Sequence, residues 1–259
     1  MRRYARLVAV TCAVGYALLC VGLVTLENSL VYPAPKTLRP ASKAMVLPIP
    51  GGTSMLWVPG DGVAPTVVFF HGNGEQVSDT EWLAGNIHDL GIGFAAIEYP
   101  GYAGTPGVPG EQAMLEAGEA GLRHLTGPMG IAPEQLVLCG QSLGTGIAVQ
   151  LAARSWGRKL VLLTPYTSLP DVGADEFPYL PVRLLMKNRF DSASWAPKVR
   201  QPVMIIHGTN DVVVAFEQGK ALSAMFAPPA QFVEIPSGTH FDLWDREYVY
   251  ARVAQFILK

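Results

Sequence analysis

Charge and cysteine are both scarce in this chain of 259 residues. Lys, Arg, Asp and Glu make up 15% of it, 19 basic against 21 acidic, for a net charge of −2. Such a balance leaves no electrostatic footprint for a nucleic-acid partner. Only three cysteines occur. Cys12 and Cys20 fall in an apolar N-terminal run and Cys139 stands alone on a later strand, so no disulfide can form outside that run. Cys139 reads as a small buried hydrophobe. No cluster of His, Cys and Asp has metal-ligand spacing, and no Gly-Lys-Ser/Thr is present to cradle phosphate. Heptads, repeats and low-complexity tracts are absent as well. No metal and no cofactor is expected.

Apolar residues are plentiful at 49%. Part of the excess lies in Leu7 to Leu26, 20 residues without a charge. As a helix this run would span about 30 Å, the thickness of a bilayer core. Arg2, Arg3 and Arg6 precede it. Basic residues on that flank hold the N-terminus in the cytoplasm and send the rest across. A cleaved signal peptide would have a shorter apolar region closed by small residues, and no Ala-x-Ala closes this one. A lipid anchor at Cys20 is disfavoured by Leu18 and Leu19, which stand where a small residue is needed. The reading is an uncleaved single-pass anchor over residues 1–27, with the rest of the chain outside the cytoplasm. A linker rich in proline and basic residues follows over 28–43.

Residues 44–259 fit one large α/β domain. Short strands are expected at Ala44–Leu47 and Ser54–Val58, then strands at Thr66–Phe70, Phe94–Glu98, Gln135–Cys139, Leu160–Leu163, Val203–Ile206 and Phe232–Ile235. Helices are expected at Asp79–Leu90, Glu111–Leu125, Leu143–Trp156, Ala215–Met225 and Leu243–Leu258. Continuous apolar strands alternating with helices imply a mostly parallel sheet flanked by helices. Residues 169–197, rich in proline and aromatics, break the rhythm and suggest a small cap.

Between one of those strands and its helix lies Gly140-Gln141-Ser142-Leu143-Gly144, the only Gly-x-Ser-x-Gly in the chain. A serine on a sharp strand-to-helix turn has an exposed hydroxyl, and the glycines leave room for the turn. This is the nucleophile elbow of the α/β-hydrolase fold. A serine needs a base to take its proton and an acid to orient that base, in the chain order Ser, Asp or Glu, His. Asp211 follows the Val203–Ile206 strand and His240 follows the Phe232–Ile235 strand, both at the carboxyl edge of the sheet. Asp171 is the rival acid. His88 and His124 read as solvated helix residues, and His71 and His207 as strand-end residues that brace turns. The oxyanion would be met by the Leu143 amide and by the Asn73 main chain in the loop His71-Gly72-Asn73-Gly74-Glu75.

Taken in order, these motifs resemble a known family. The apolar run, Asn28–Pro33, His71-Gly72-Asn73-Gly74, Tyr99-Pro100-Gly101-Tyr102, the elbow, the stretch from Phe177-Pro178-Tyr179-Leu180-Pro181 to Arg189-Phe190-Asp191-Ser192, and His207-Gly208-Thr209-Asn210-Asp211 look like the membrane-anchored α/β-hydrolases of the Bem (bud emergence) branch. The resemblance implies an anchored serine hydrolase acting on esters or thioesters, with Ser142, Asp211 and His240 as its triad. Relatives in eukaryotes are associated with lipid-type substrates, including lysophospholipids and protein-linked acyl groups. The chain departs from the pattern at Ala103, where the family usually has glycine, at Ala117, where an aspartate is common, and at Thr239 and Phe241, which flank His240.

The expected function is hydrolysis of carboxylic esters or thioesters of lipid-like acyl substrates through an acyl-enzyme. A serine peptidase shares this architecture, although no extra propeller or large cap is present. A non-catalytic binding module would usually lack a triad residue, and none is missing. Within the cap, Leu184, Leu185 and Phe190 are candidates for an acyl groove. Arg183 and Lys187 would share one face if the stretch were helical. Oligomeric state is open.

Overall fold

In the computed structural model the described residues are 1–42 and 44–259; Lys43, the end of the expected linker, lies outside them. The first helix, α1, runs Arg2–Val31, 30 residues and about 45 Å. It is long and apolar enough to cross a membrane, and its most apolar stretch is unburied by the rest of the chain. It continues past residue 27 into what the sequence suggests is linker.

Eight strands follow: β1 (Met45–Ile49), β2 (Thr53–Val58), β3 (Thr66–Phe70), β4 (Gly93–Ile97), β5 (Leu136–Gln141), β6 (Lys159–Leu163), β7 (Val203–Gly208) and β8 (Gln231–Ile235). They form one sheet in the order β1-β2-β4-β3-β5-β6-β7-β8. The pairings of β1 with β2 and of β2 with β4 are antiparallel, and all the others are parallel. Side chains alternate across a strand, so parallel strands covered on both faces read as unbroken apolar runs. In β3, Val68 and Phe70 enter one core while Val67 and Phe69 enter the other; in β5, Leu136 and Leu138 face one way and Val137 and Cys139 the other. Helices α3 (Glu111–Thr126), α4 (Leu143–Ala153) and α8 (Phe216–Ser223) cover the first face. Helices α2 (Glu81–His88) and α9 (Glu247–Leu258) cover the second. Each fully buried Leu, Ile or Val contributes roughly 1.5–3 kcal/mol.

The last helix starts at Glu247 rather than at Leu243. Residues 239–246 form turns instead, because Asp242 accepts from the Thr239 amide and pairs with Arg246. Helix α4 ends at Ala153 rather than Trp156, where Ser155 and Gly157 take positive φ.

The cap holds three short helices, α5 (Leu169–Glu176), α6 (Val182–Leu185) and α7 (Ser192–Trp195). Helix α6 is too short to align Arg183 with Lys187, which lies beyond its end, and Arg183 pairs with Asp171 at 2.7 Å. Leu184 is 86% exposed, whereas Phe190 is fully buried. Phe190 fills the space over Gly146, so it belongs to the core and not to a groove surface.

The segment after α1 is stapled to the domain. The Ala103 amide donates to the Pro35 carbonyl at 2.7 Å and the Arg39 amide to Gln76 Oε1 at 2.8 Å. Glu81 accepts from the amides of Ser42 and Ala44. Ala103 adopts φ 49°, the left-handed region that favours glycine. A non-glycine residue in that region carries strain of about 1 kcal/mol.

Candidate active site

Strand β5 delivers Ser142 into a turn with φ 48° and ψ −118°, a conformation that costs a non-glycine residue about 1–3 kcal/mol. The turn is over-determined by its surroundings. The Ser142 amide donates to the Leu163 carbonyl at 3.0 Å, and the Ser142 carbonyl accepts from the Thr145 amide and hydroxyl. A Cβ on Gly140 would lie 2.6 Å from the Gly144 carbonyl oxygen, and one on Gly144 would run into the carbonyls of Phe70 and His71. Both glycines of the motif therefore serve close backbone approach.

Two loops at the same edge of the sheet bring partners to the serine. His240, beyond β8, places Nε2 2.9 Å from Ser142 Oγ and Nδ1 2.8 Å from Asp211 Oδ2. Nδ1–H donates to the carboxylate, which leaves the Nε2 lone pair to accept the serine hydroxyl. Asp211, beyond β7, is fixed in turn: its Oδ1 accepts from the amides of Val213 and Val214, both at 2.9 Å. Burial alone would raise the Asp211 pKa. Hydrogen bonds from His207 and His240, the charge interaction with His240 and the Val214 amide outweigh burial and hold the carboxyl well below the usual range. Asp171 sits elsewhere, bonded to Ser168, Thr167 and Arg183.

His207 is fully buried, with Nε2 3.1 Å from the Val214 carbonyl and 3.3 Å from Asp211 Oδ2. Both neighbours accept, so Nε2 carries the hydrogen. It braces the turn as a strand-end histidine should, and it also contacts the acid, which sequence position does not reveal. His88 is exposed and bonds the Pro59 carbonyl, while His124 is half-buried rather than solvated.

Behind the loop after β3, His71 and Glu98 form a fully buried pair at 3.1 Å. His71 Nδ1 donates to the Gly72 carbonyl, and Glu98 also accepts from the amides of Tyr99 and Val77. Burial pushes the His71 pKa down, but the Glu98 hydrogen bond and the charges of Glu98 and Glu75 outweigh it, so the value is raised. The ring stacks on Tyr99 at 4.0 Å.

In that loop the Gly72 amide is taken by Glu75 at 2.6 Å. The Asn73 side chain is committed at both ends: Nδ2 donates to the Val31 carbonyl and Oδ1 accepts from the Tyr102 hydroxyl, each at 2.6 Å. The Leu143 amide opens α4, where helical N–H groups have no intrahelical acceptor. Among the described residues neither the Leu143 nor the Asn73 amide has a protein acceptor. Missing from the sequence reading is the end of α1. Glu27 is buried, and its carboxylate accepts from the amides of Lys187 and Asn188 and from Asn188 Nδ2. A lone acid closing an apolar run is the signal that could have marked it.

An open, mostly parallel sheet with a serine on a strand-to-helix turn and a histidine and an acid on later strand ends defines the class. The sequence profile of a family described as alpha/beta hydrolase of unknown function (DUF1057) matches residues 58–174. An uncharacterised protein of Mycobacterium tuberculosis is 35% identical over 181 residues, 70% of this chain. That match spans 64% of the mycobacterial protein, less than two thirds of its length. A protein of Acanthamoeba polyphaga mimivirus assigned to the alpha/beta hydrolases is 30% identical over 184 residues, 70% of this chain and 68% of that protein. A Pyrococcus furiosus esterase superposes with a TM-score of 0.70 at 16% identity, covering 86% of this chain and 97% of its own. The chain belongs to the α/β-hydrolase superfamily.

Proposed function

We propose that the protein is a membrane-anchored serine hydrolase of carboxylic esters or thioesters, of the Bem type, with residues 44–259 as its catalytic unit. The hydrogen-bond chain Ser142 Oγ–His240–Asp211 supports this reading most directly. Ser142 Oγ attacks the acyl carbonyl as its proton passes to His240 Nε2. The bond to the leaving oxygen or sulfur then breaks, and that atom takes the proton from His240. Water attacks the acyl-enzyme in the same way, its proton moving through His240 back to Ser142 as the acid leaves. Asp211 holds the Nδ1–H tautomer. The amides of Leu143 and Asn73 meet the developing oxyanion.

A fluorophosphonate, which phosphonylates activated serines, should label the full-length protein at Ser142 and leave Ser142→Ala unlabelled. Full labelling of the variant, or labelling at Ser168, would overturn the assignment.

In this reading α1 is the anchor, and the three N-terminal arginines keep its start in the cytoplasm. A phosphatase reporter fused after Lys259 should be active only outside the cytoplasm, with the chain in the membrane fraction. Soluble protein with a new N-terminus after residue 20 would show cleavage instead.

A further inference from the structure

A groove of about 350 Å³ lies between α1 and the cap. Leu23, Val24 and Leu30 form its helix wall, and Phe177, Leu180 and Leu185 its cap wall. The volume falls at the small end of the ~300–1,000 Å³ usual for ligand sites. None of its lining residues is Ser142, His240 or Asp211. The void beside His240, bounded by Gln141, Thr164 and Phe241, holds only about 10 Å³. A substrate's acyl part has no room there.

We propose that this groove binds a single fatty acyl chain drawn laterally from the bilayer, with α1 as a working wall of the site and not merely a tether. The inference rests on the hydrolase reading above and names its substrate class. Four observations carry it. The lining is apolar apart from Glu27. The Glu27 carboxylate is hydrogen-bonded by three N–H donors from Lys187 and Asn188, and those same bonds fasten the helix to the cap. One wall belongs to the helix that is apolar and long enough to cross a membrane, so with α1 as the anchor the groove would open beside the hydrocarbon around that helix. Val31 also lines it, and the Val31 carbonyl is held by Asn73 in the loop that would supply an oxyanion amide. A chain lying along the groove with its head at Val31 presents its carboxyl carbon to that loop.

The rim adds charge complementarity. Arg183, Lys187 and Arg189 are exposed on the cap segment, and only Arg183 has a carboxylate partner, Asp171, among the ion pairs of the described residues. Lys187 and Arg189 remain to meet an anionic headgroup or leaving group. Leu185 lines this groove, which Ser142 does not, whereas Leu184 points to solvent and Phe190 lies in the core.

The test uses the full-length protein in nanodiscs. Turnover of p-nitrophenyl acetate and palmitate is compared for wild type, Leu30→Trp and Leu180→Trp, with Leu18→Trp on the exposed face of α1 as control. Filling the groove should lower the palmitate-to-acetate ratio of kcat/KM by about tenfold or more, while Leu18→Trp keeps the wild-type ratio. In parallel, a diazirine-bearing palmitic acid is photo-crosslinked to Ser142→Ala, a readout that needs no catalysis. Crosslinks should map to 23–31 and 177–186, fall in Leu30→Trp, and be competed by unlabelled palmitate. Labelling spread evenly over α1 and unchanged by Leu30→Trp would mean bulk lipid fills the groove, and would overturn the proposal. Specific crosslinking without turnover of any ester would sink the hydrolase reading and leave the groove standing. Turnover insensitive to chain length, with no specific crosslink, would do the reverse.

Discussion

Ser142→Ala should lower ester turnover about a million-fold, His240→Ala by a similar factor, and the double variant no further. The non-additivity follows from the geometry. Ser142 Oγ and His240 Nε2 share one hydrogen bond of 2.9 Å, and neither performs proton transfer without the other. Asp211→Asn is expected to cost about 10⁴ for a different reason. An amide facing Nδ1 can donate where the carboxylate accepts at 2.8 Å, which drives the hydrogen to Nε2 and points it at the serine. The ring stays in place in the wrong tautomer. Single-turnover rates with a short p-nitrophenyl ester measure all four variants. Near wild-type turnover in His240→Ala would break the assignment, and a loss confined to Asp171 variants would move the acid there.

Much of this architecture can be read from residue pattern because it is local. Thr66–Phe70 is a run of β-branched and aromatic residues, and the structure starts and stops β3 at those same residues. The glycines around Ser142 advertise close packing against Phe70 and Thr145, which a sequence can express as a five-residue motif. Strand-end position singles out Asp211 and His240, 29 residues apart, and the structure brings both side chains to one edge.

What stays hidden is long-range and made of side chain to backbone bonds. Glu27 meets Lys187 and Asn188 across 160 and 161 residues, and Asn73 meets Val31 across 42, with no periodicity to report either contact. The linker composition, rich in proline and basic residues, suggests a loose tether. Its backbone is instead caught by Gln76, Glu81 and the Ala103 amide. Phe190 looks like a cap aromatic by neighbourhood, but the missing side chain at Gly146 makes room for it in the core. The interrupted start of the last helix has a similar origin, since Asp242 offers the backbone an alternative to the helix.

The second large effect concerns the buried pair behind the loop after β3. Glu98→Ala should destabilise the protein by roughly 3–5 kcal/mol, because it breaks a fully buried pair and leaves His71 Nε2 without its partner. It also leaves the amides of Tyr99 and Val77 without acceptors. Glu98→Gln keeps the shape and an acceptor oxygen but removes the charge, and so separates packing from electrostatics. In the native protein the His71 pKa is raised by Glu98 above its unfolded value of about 6.5. The pair's contribution is therefore complete below about pH 6.5 and is lost as pH rises through the folded-state value. Urea unfolding of wild type and Glu98→Gln at about pH 6 and about pH 9 reads this directly. The gap between the two proteins should be large at the lower pH and shrink at the higher one. Asp211 does not blur the comparison. Its pKa is depressed, so its contribution is present above about pH 3.8 and fades only in acid. A gap that stays constant across that range would mean His71 is neutral in the folded protein. The pair would then be a hydrogen bond from a neutral imidazole to Glu98 and not an ion pair.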